Sequence, residues 1–324
     1  MEYTTLGRTG LEVSRLCLGC MSFGSSDWRE WVLDEEESLE VIERAIDHGI
    51  NFFDNANLYS NGESERILGE ALQGRRDRMV VTSKCYYQID EENRQSGGLS
   101  RKTIEQELDA SRDRLGVETV DLYMAHRWDY DTPIEVSLEA FDDMIERGKA
   151  RYAGISSSWT HQLAEAIHTS ERRDIARFDV MQNHYNLLYR EEEREMLPYC
   201  QKNDVGVMTY SPLARGNLAM PFDEFEETTR GESDPWAHSY PYREGGGPEI
   251  NARVEEIAEE KGVTMPQIAL AWLLHKEWVD TPIIGASTVE HVDQAVEALE
   301  IDLSDSEMEY LEAPYDPLPV SGHE

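Results

Sequence analysis

Eight short runs of strand-forming residues, each followed by an amphipathic helical stretch, constrain this chain more than any other feature. The strand-like runs lie near 15–19, 51–54, 79–84, 119–125, 151–155, 178–182, 205–209 and 281–284. Helical periodicity occupies 35–48, 63–72, 101–115, 134–147, 160–170, 191–202, 250–260 with 265–275, and 289–298. Gly49 after His48 and Gly116 after Leu115 read as C-terminal stops, and Ser287-x-x-Glu290 reads as a capping box. Strands separated by helices must run parallel with helical crossovers, because a hairpin turn joins only antiparallel neighbours. Eight such units predict an α/β fold closed as a (β/α)8 TIM barrel. The competing doubly wound sheet usually carries G-x-G-x-x-G after its first strand, and no such run occurs. Residues 1–14, turning at Gly7-Arg-Thr-Gly10, predict an N-terminal β-hairpin under the barrel. Residues 214–249 form a long Gly-, Pro- and acid-rich connection after the seventh strand. It reads as a lid at the C-terminal face or as an acidic insert. Nothing in composition divides the chain, so one domain over 1–324 is expected.

Charge excludes some function classes. There are 66 acidic and 30 basic residues, a formal net charge of −36, with only six lysines. Such a surface repels phosphate backbones and anionic lipid heads, so nucleic acid and membranes are not expected partners. Dense carboxylates with few lysines suit a halophilic, salt-screened cytoplasm. No basic-then-apolar leader and no apolar run of about 20 residues stands in the chain, and a cytoplasmic location is expected. The four cysteines are Cys17, Cys20, Cys85 and Cys200. Cys17 and Cys20 form a C-x-x-C, but on a strand residues three apart face opposite ways, and no second pair completes a zinc site. No metal is expected.

Four polar residues sit at or just beyond strand ends. Asp54 closes Ile50-Asn-Phe-Phe-Asp54, Tyr59 follows in the next loop, Lys84 closes Met79-Val-Val-Thr-Ser-Lys84, and His126 closes Val120-Asp-Leu-Tyr-Met-Ala-His126. Each alone reads as a cap, a packed ring or a solvated end. Together, in a barrel, they converge on one cleft. An ammonium beside a phenol favours the phenolate and is expected to lower the Tyr59 pKa. A carboxylate keeps that ammonium charged, and an imidazole can orient a carbonyl. The product is a general acid aimed at a developing alkoxide. Trp28, Trp31, Trp128 and the 214–249 segment are candidates for an apolar substrate wall or for core packing.

The pattern Asp54-x4-Tyr59, Lys84, His126 resembles the catalytic tetrad of the aldo-keto reductases. The segments Leu6-Gly-Arg-Thr-Gly-Leu-Glu-Val-Ser14, Leu18-Gly-Cys-Met-Ser-Phe-Gly24 and Asp54-Asn-Ala-Asn-Leu-Tyr59 resemble that family's motifs. His126-Arg-Trp-Asp129 and Met181-Gln-Asn-His-Tyr-Asn186 resemble the branch of potassium-channel β subunits and aryl-alcohol dehydrogenases. The resemblance runs from about Leu6 to Val320. It implies reduction of an aldehyde or ketone to an alcohol, with Tyr59 as general acid, Lys84 and Asp54 tuning it, and His126 orienting the carbonyl. It implies NADP(H), with NAD(H) as the alternative, held without a Rossmann fold. The cofactor would lie against Cys20, Met21, Asp54, Ser156, Ser157, Gln182 and Tyr210. Its phosphates would meet the loop Ser211, Pro212, Leu213, Arg215, Gly216 and the turn Ile284, Gly285, Ser287, Thr288, with Gln294 beyond. Ser157, Thr288 and Ala295 depart from the family's usual Asn, basic residue and Asn at their positions. A small carbonyl compound is the implied substrate. A nicotinamide-binding regulatory subunit with little turnover is the alternative function. A barrel hydrolase or metal enzyme would need clustered His and carboxylates, and no H-E-x-x-H or similar spacing occurs.

Overall fold

The computed structural model describes residues 1–90, 92–234 and 239–323. Strands β1 (Tyr3–Thr5) and β2 (Glu12–Ser14) form an antiparallel hairpin. Eight parallel strands then close a barrel: β3 (Cys17–Gly19), β4 (Phe52–Asp54), β5 (Val80–Cys85), β6 (Val120–Ala125), β7 (Ala150–Ser156), β8 (Phe178–His184), β9 (Gly206–Tyr210) and β10 (Thr281–Gly285). β10 pairs with both β9 and β3, which closes the ring. The expected (β/α)8 barrel with its N-terminal hairpin is therefore the fold.

Two apolar layers hold it. Inside the barrel, Cys17, Phe52, Val80, Leu122, Met124, Val180, Met208 and Ile283 pack together, and Leu6 and Val13 of the hairpin region complete that cluster. The hairpin is a stopper: Arg8 N donates to Asp204 O, and Tyr152 Oη donates to Thr9 O at 2.6 Å. A Cβ on Gly7, at φ +48°, would lie 2.2 Å from Gly206 N, so this turn needs glycine. Outside the strands, helix faces bury residues such as Val41, Ile42, Ile104, Leu108, Leu138, Leu163 and Trp272. Cys17 belongs to the inner cluster and Cys20 to the outer one, so the two thiols face opposite ways. All four cysteines are free and buried, and burial raises each thiol, Cys85 to about 12.

Three local expectations change. Helix Val289–Glu297 is capped by Thr288, whose hydroxyl accepts from His291 N at 3.3 Å; Ser287 hydrogen-bonds the His291 ring instead, so Ser287-x-x-Glu290 is not a capping box. A box does exist at Ser304-Asp-Ser-Glu307, where it starts an unexpected helix, Asp305–Glu312. The helix expected over 191–202 is a 3-10 turn, Glu191–Glu193, and then Met196–Lys202, because Glu195 is not helical (φ −140°).

The 214–249 segment is packed rather than loose. It holds short helices Phe222–Phe225 and Thr229–Ser233, and helix Gly247–Lys261 begins within it; residues 235–238 lie outside the described residues. Asp234 lies 3.4 Å from Arg29 and 3.3 Å from Arg230. The Arg230 guanidinium stands over Trp31, and that of Arg29 over Trp28. Trp31 and Arg29 thus fasten the 214–249 segment to the loop after β3, with Trp28 against Arg29, while Trp128 packs on the core.

Among the described residues no helix is long and apolar enough to cross a membrane. A formal charge of −36 on this surface predicts salt-dependent stability. The thermal midpoint should rise between about 0.1 M and about 1 M KCl, as the Debye length shrinks from about 10 Å to about 3 Å. A midpoint indifferent to salt would remove the halophilic reading.

Candidate active site

The C-terminal strand ends bring the four polar side chains together. Asp54 ends β4, Lys84 is the penultimate residue of β5, and His126 follows β6 directly. Tyr59 opens a tight turn, Tyr59–Gly62, in which Ser60 and Asn61 adopt left-handed conformations (φ 47° and 53°). That turn swings the phenol back over the barrel.

Lys84 Nζ is fully buried. It donates to Asp54 Oδ2 at 2.7 Å, to Asn55 O at 2.8 Å and to Tyr59 Oη at 3.4 Å. Asp54 Oδ1 accepts from Thr82 Oγ1 at 2.7 Å and from Gln182 Nε2 at 2.9 Å. The carboxylate is thus held by three side chains from β5 and β8, which fixes the ammonium and through it the phenol. The His126 ring meets Tyr59 edge-on at 5.9 Å between centroids, and its Nδ1 is buried without a partner.

The electrostatics differ from expectation in one respect. Burial pushes the Tyr59 phenol up, and Lys84 draws it only part of the way back, so the net shift is upward. The expected net lowering does not occur, because desolvation of a phenolate at a site this enclosed exceeds the attraction of an ammonium already shared with Asp54. For a proton donor this is suitable: the phenol stays protonated through the neutral range. Burial disfavours the Lys84 ammonium, but Asp54 and Tyr59 outweigh it and its net shift is upward. His126 is held well below its usual range, first by burial and then by Lys84 and Arg127.

A second buried imidazole, His184 at the end of β8, is also held well below its usual range, again mainly by burial. It stacks between Tyr189 (4.2 Å) and Tyr210 (5.2 Å) and shares a 2.7 Å hydrogen bond with Tyr242 Oη. Both rings are neutral when folded and basic when unfolded. A depressed folded pKa means that stability is whole above about pH 6.5 and is lost as pH falls below it. Each ring should add up to about 1.4 kcal/mol per pH unit to that acid slope. Chemical unfolding between pH 7 and 5 measures it; a His184→Phe variant with an unchanged slope would refute the assignment.

The remaining candidates line the same mouth. Ser156 ends β7, and Ser157 follows with a left-handed backbone (φ 51°). Ser157 Oγ lies 3.2 Å from Ser156 Oγ and 3.0 Å from Tyr210 Oη, so these three hydroxyls form a chain. The loop after β9 carries positive φ at Ser211, Ala214, Arg215 and Gly216, with Pro212 buried and Leu213 half-buried. Arg215 Nε is buried without a partner. At the end of β10, buried Ile284 leads into exposed Gly285, with exposed Ser287 and Thr288 beyond, and a Cβ on Gly285 would meet nothing within 4 Å. Gln294 is half-buried on the following helix, where Ala295 is buried. Cys20 and Met21 stand in the turn after β3, the Cys20 carbonyl accepting from Ser64 Oγ at 2.6 Å.

Sequence reasoning missed several participants. Asn55, Thr82 and His184 lie within the segments named above but had no role assigned, and Tyr242 lies in the 214–249 connection, outside any motif. The C-terminal tail was also missed. A Cβ on Gly322 would lie 3.1 Å from Tyr210 Oη, and His323 is buried against Trp159 and Glu192. Arg127 lies within His126-Arg-Trp-Asp129, and its place beside His126 is legible in the sequence.

Comparison with known proteins identifies the family of the chain. The model described as the aldo/keto reductase family matches residues 15–316. An aldo-keto reductase of Alternaria alternata is 40% identical, covering 99% of this chain and 93% of its own. A putative aryl-alcohol dehydrogenase of Schizosaccharomyces pombe is 41% identical over 99% of this chain and 97% of its own. Versiconal hemiacetal acetate reductase of Aspergillus parasiticus is 42% identical over 98% of each.

Proposed function

Because this chain belongs to the aldo/keto reductase family and is an oxidoreductase acting on carbonyl or alcohol groups, we propose that it reduces aldehydes or ketones with NADPH, using Tyr59 as the proton donor. The observation that supports this most directly is the buried line Asp54–Lys84–Tyr59, at 2.7 Å and 3.4 Å, ending beside a neutral imidazole.

When bound, the nicotinamide supplies a hydride to the carbonyl carbon. The protein supplies the rest. His126 orients the carbonyl oxygen toward Tyr59 by hydrogen bonding. Tyr59 gives that oxygen its proton, which with the hydride completes the alcohol. Lys84 stabilises the phenolate left behind, and Asp54, anchored by Thr82 and Gln182, keeps Lys84 in place. Water then restores the phenol.

The residues present suit a dinucleotide. Positive φ at Ser211, Ala214, Arg215 and Gly216 makes the loop after β9 a tight backbone turn of the kind that can receive an anion, and the unpartnered Arg215 Nε adds a donor. Ser156, Ser157, Gln182 and Tyr210 would hold the nicotinamide end, with Cys20 and Met21 alongside. Gly285, Ser287 and Thr288 precede a helix N-terminus and leave room for a phosphate. That open turn favours NADP(H) over NAD(H), through N–H donors rather than a charged side chain.

The test is direct. The protein, purified in high salt, is given NADPH or NADH with a panel of aldehydes and ketones, and nicotinamide absorbance is followed. Loss of absorbance with NADPH in preference to NADH is expected. Cofactor binding without turnover on any carbonyl would favour a regulatory subunit, and no binding at all would end both readings.

A further inference from the structure

Arg127 is an unusual cation in a chain of net charge −36. Among the described residues, the only arginines not fully exposed that lack a carboxylate within 4.0 Å are Arg15 and Arg127. Arg15 spends its guanidinium on the carbonyls of Leu274, Val279 and Asp280. Arg127 has one hydrogen bond, from Nη1 to the carbonyl of His126 at 2.7 Å. A guanidinium carries five N–H donors, so most of this one is uncommitted. With twice as many acids as bases in the chain, a half-buried arginine without a carboxylate is not for want of one.

Its position is at the cleft. Arg127 directly follows His126, and its guanidinium stands over the Tyr87 ring at 5.6 Å. Tyr87 meets His126 edge-on at 5.1 Å, and His126 meets Tyr59 at 5.9 Å. The rings therefore form a continuous wall from the proposed proton donor to the cation. Its charge is felt by Tyr59, His126, Tyr210 and His184, which lie on different sides of the mouth. The other charges there are matched. Lys84 is paired with Asp54, and Arg215 faces Asp234. Asp129 accepts from the backbone N–H groups of Leu99 and Asp131.

We infer that the carbonyl substrate carries a carboxylate, which Arg127 receives while the ring wall holds the body of the molecule and Tyr59 faces the carbonyl. The guanidinium fork fits a planar carboxylate through two parallel hydrogen bonds. The acidic surface does not prevent this. At high salt the distant charges are screened within about 3 Å, whereas a contact pair inside the cleft is screened far less. The inference rests on the carbonyl-reduction reading but is tested separately from it.

The probes are 3- and 4-formylbenzoate and their methyl esters, which differ in charge while keeping the aldehyde and ring. The wild-type kcat/KM is expected to be at least about tenfold higher for one of the acids than for its ester. Arg127→Met should bring that ratio to about one, and Arg127→Lys should keep part of it. A purely structural role would lower both substrates together and leave the ratio alone. The second readout needs no turnover: isothermal titration of benzene-1,3-dicarboxylate should show binding about tenfold weaker in Arg127→Met. A wild type that prefers the esters, or an Arg127→Met variant that keeps both the ratio and the dicarboxylate affinity, overturns the inference. If no carbonyl of any kind is reduced, the reductase reading fails, and the dicarboxylate titration still decides whether Arg127 is an anion site.

Discussion

Tyr59→Phe should lower kcat/KM for carbonyl reduction by roughly 100- to 10,000-fold, the range a positioned general acid contributes. The fold should barely notice. The hydroxyl's hydrogen bond is the 3.4 Å contact from Lys84, and Lys84 keeps its stronger bonds to Asp54 and Asn55. The phenylalanine ring retains the edge contact with His126, so the stability change should stay within about 1 kcal/mol. Cofactor affinity should be nearly unchanged. The combination of lost turnover, intact fold and intact cofactor binding identifies a proton donor. A variant that reduces carbonyls as fast as the parent would assign the proton to another group.

Lys84→Met should damage both chemistry and fold. The Asp54 carboxylate, 3% exposed, would keep its Thr82 and Gln182 donors and lose its countercharge. Leaving one member of a buried pair uncompensated costs about 3–5 kcal/mol, enough to shift a denaturant midpoint clearly. Adding Asp54→Asn to Lys84→Met should recover much of that stability and none of the activity. A Lys84→Met protein as stable as the parent would mean that water reaches the pair. The pH dependence carries a sign as well. Lys84 has a folded pKa above its usual value, so the stability it brings is complete below about pH 10.4 and is lost as pH rises through the folded value.

Strand positions were legible because parallel strands buried on both faces read as short apolar runs, and all eight lie within two residues of where the pattern puts them. The polar residues at those strand ends were legible for the same reason: once the barrel is recognised, its chain topology gathers Asp54, Lys84 and His126. What stayed hidden depends on partners distant in sequence. The bond from Gln182 to Asp54 spans 128 positions, and the contact of Gly322 with Tyr210 joins the tail to β9. The direction of the Tyr59 shift was also hidden. The ammonium beside it can be read from spacing, but the degree of burial that outweighs it is a property of packing. The misplaced capping box at Ser287 shows the limit of local patterns, since Thr288 one residue later competes for the same role and wins.

The hairpin stopper gives the barrel a front and a back. Leu6, Gly7, Thr9 and Val13 seal one pole through packing and backbone contacts, and every group assigned to chemistry stands at the other. A change at the sealed pole is a question of whether the molecule exists; a change at the open pole is a question of what it does. The two can diverge independently, so that a lineage can exchange one diet of aldehydes for another while inheriting its foundation intact.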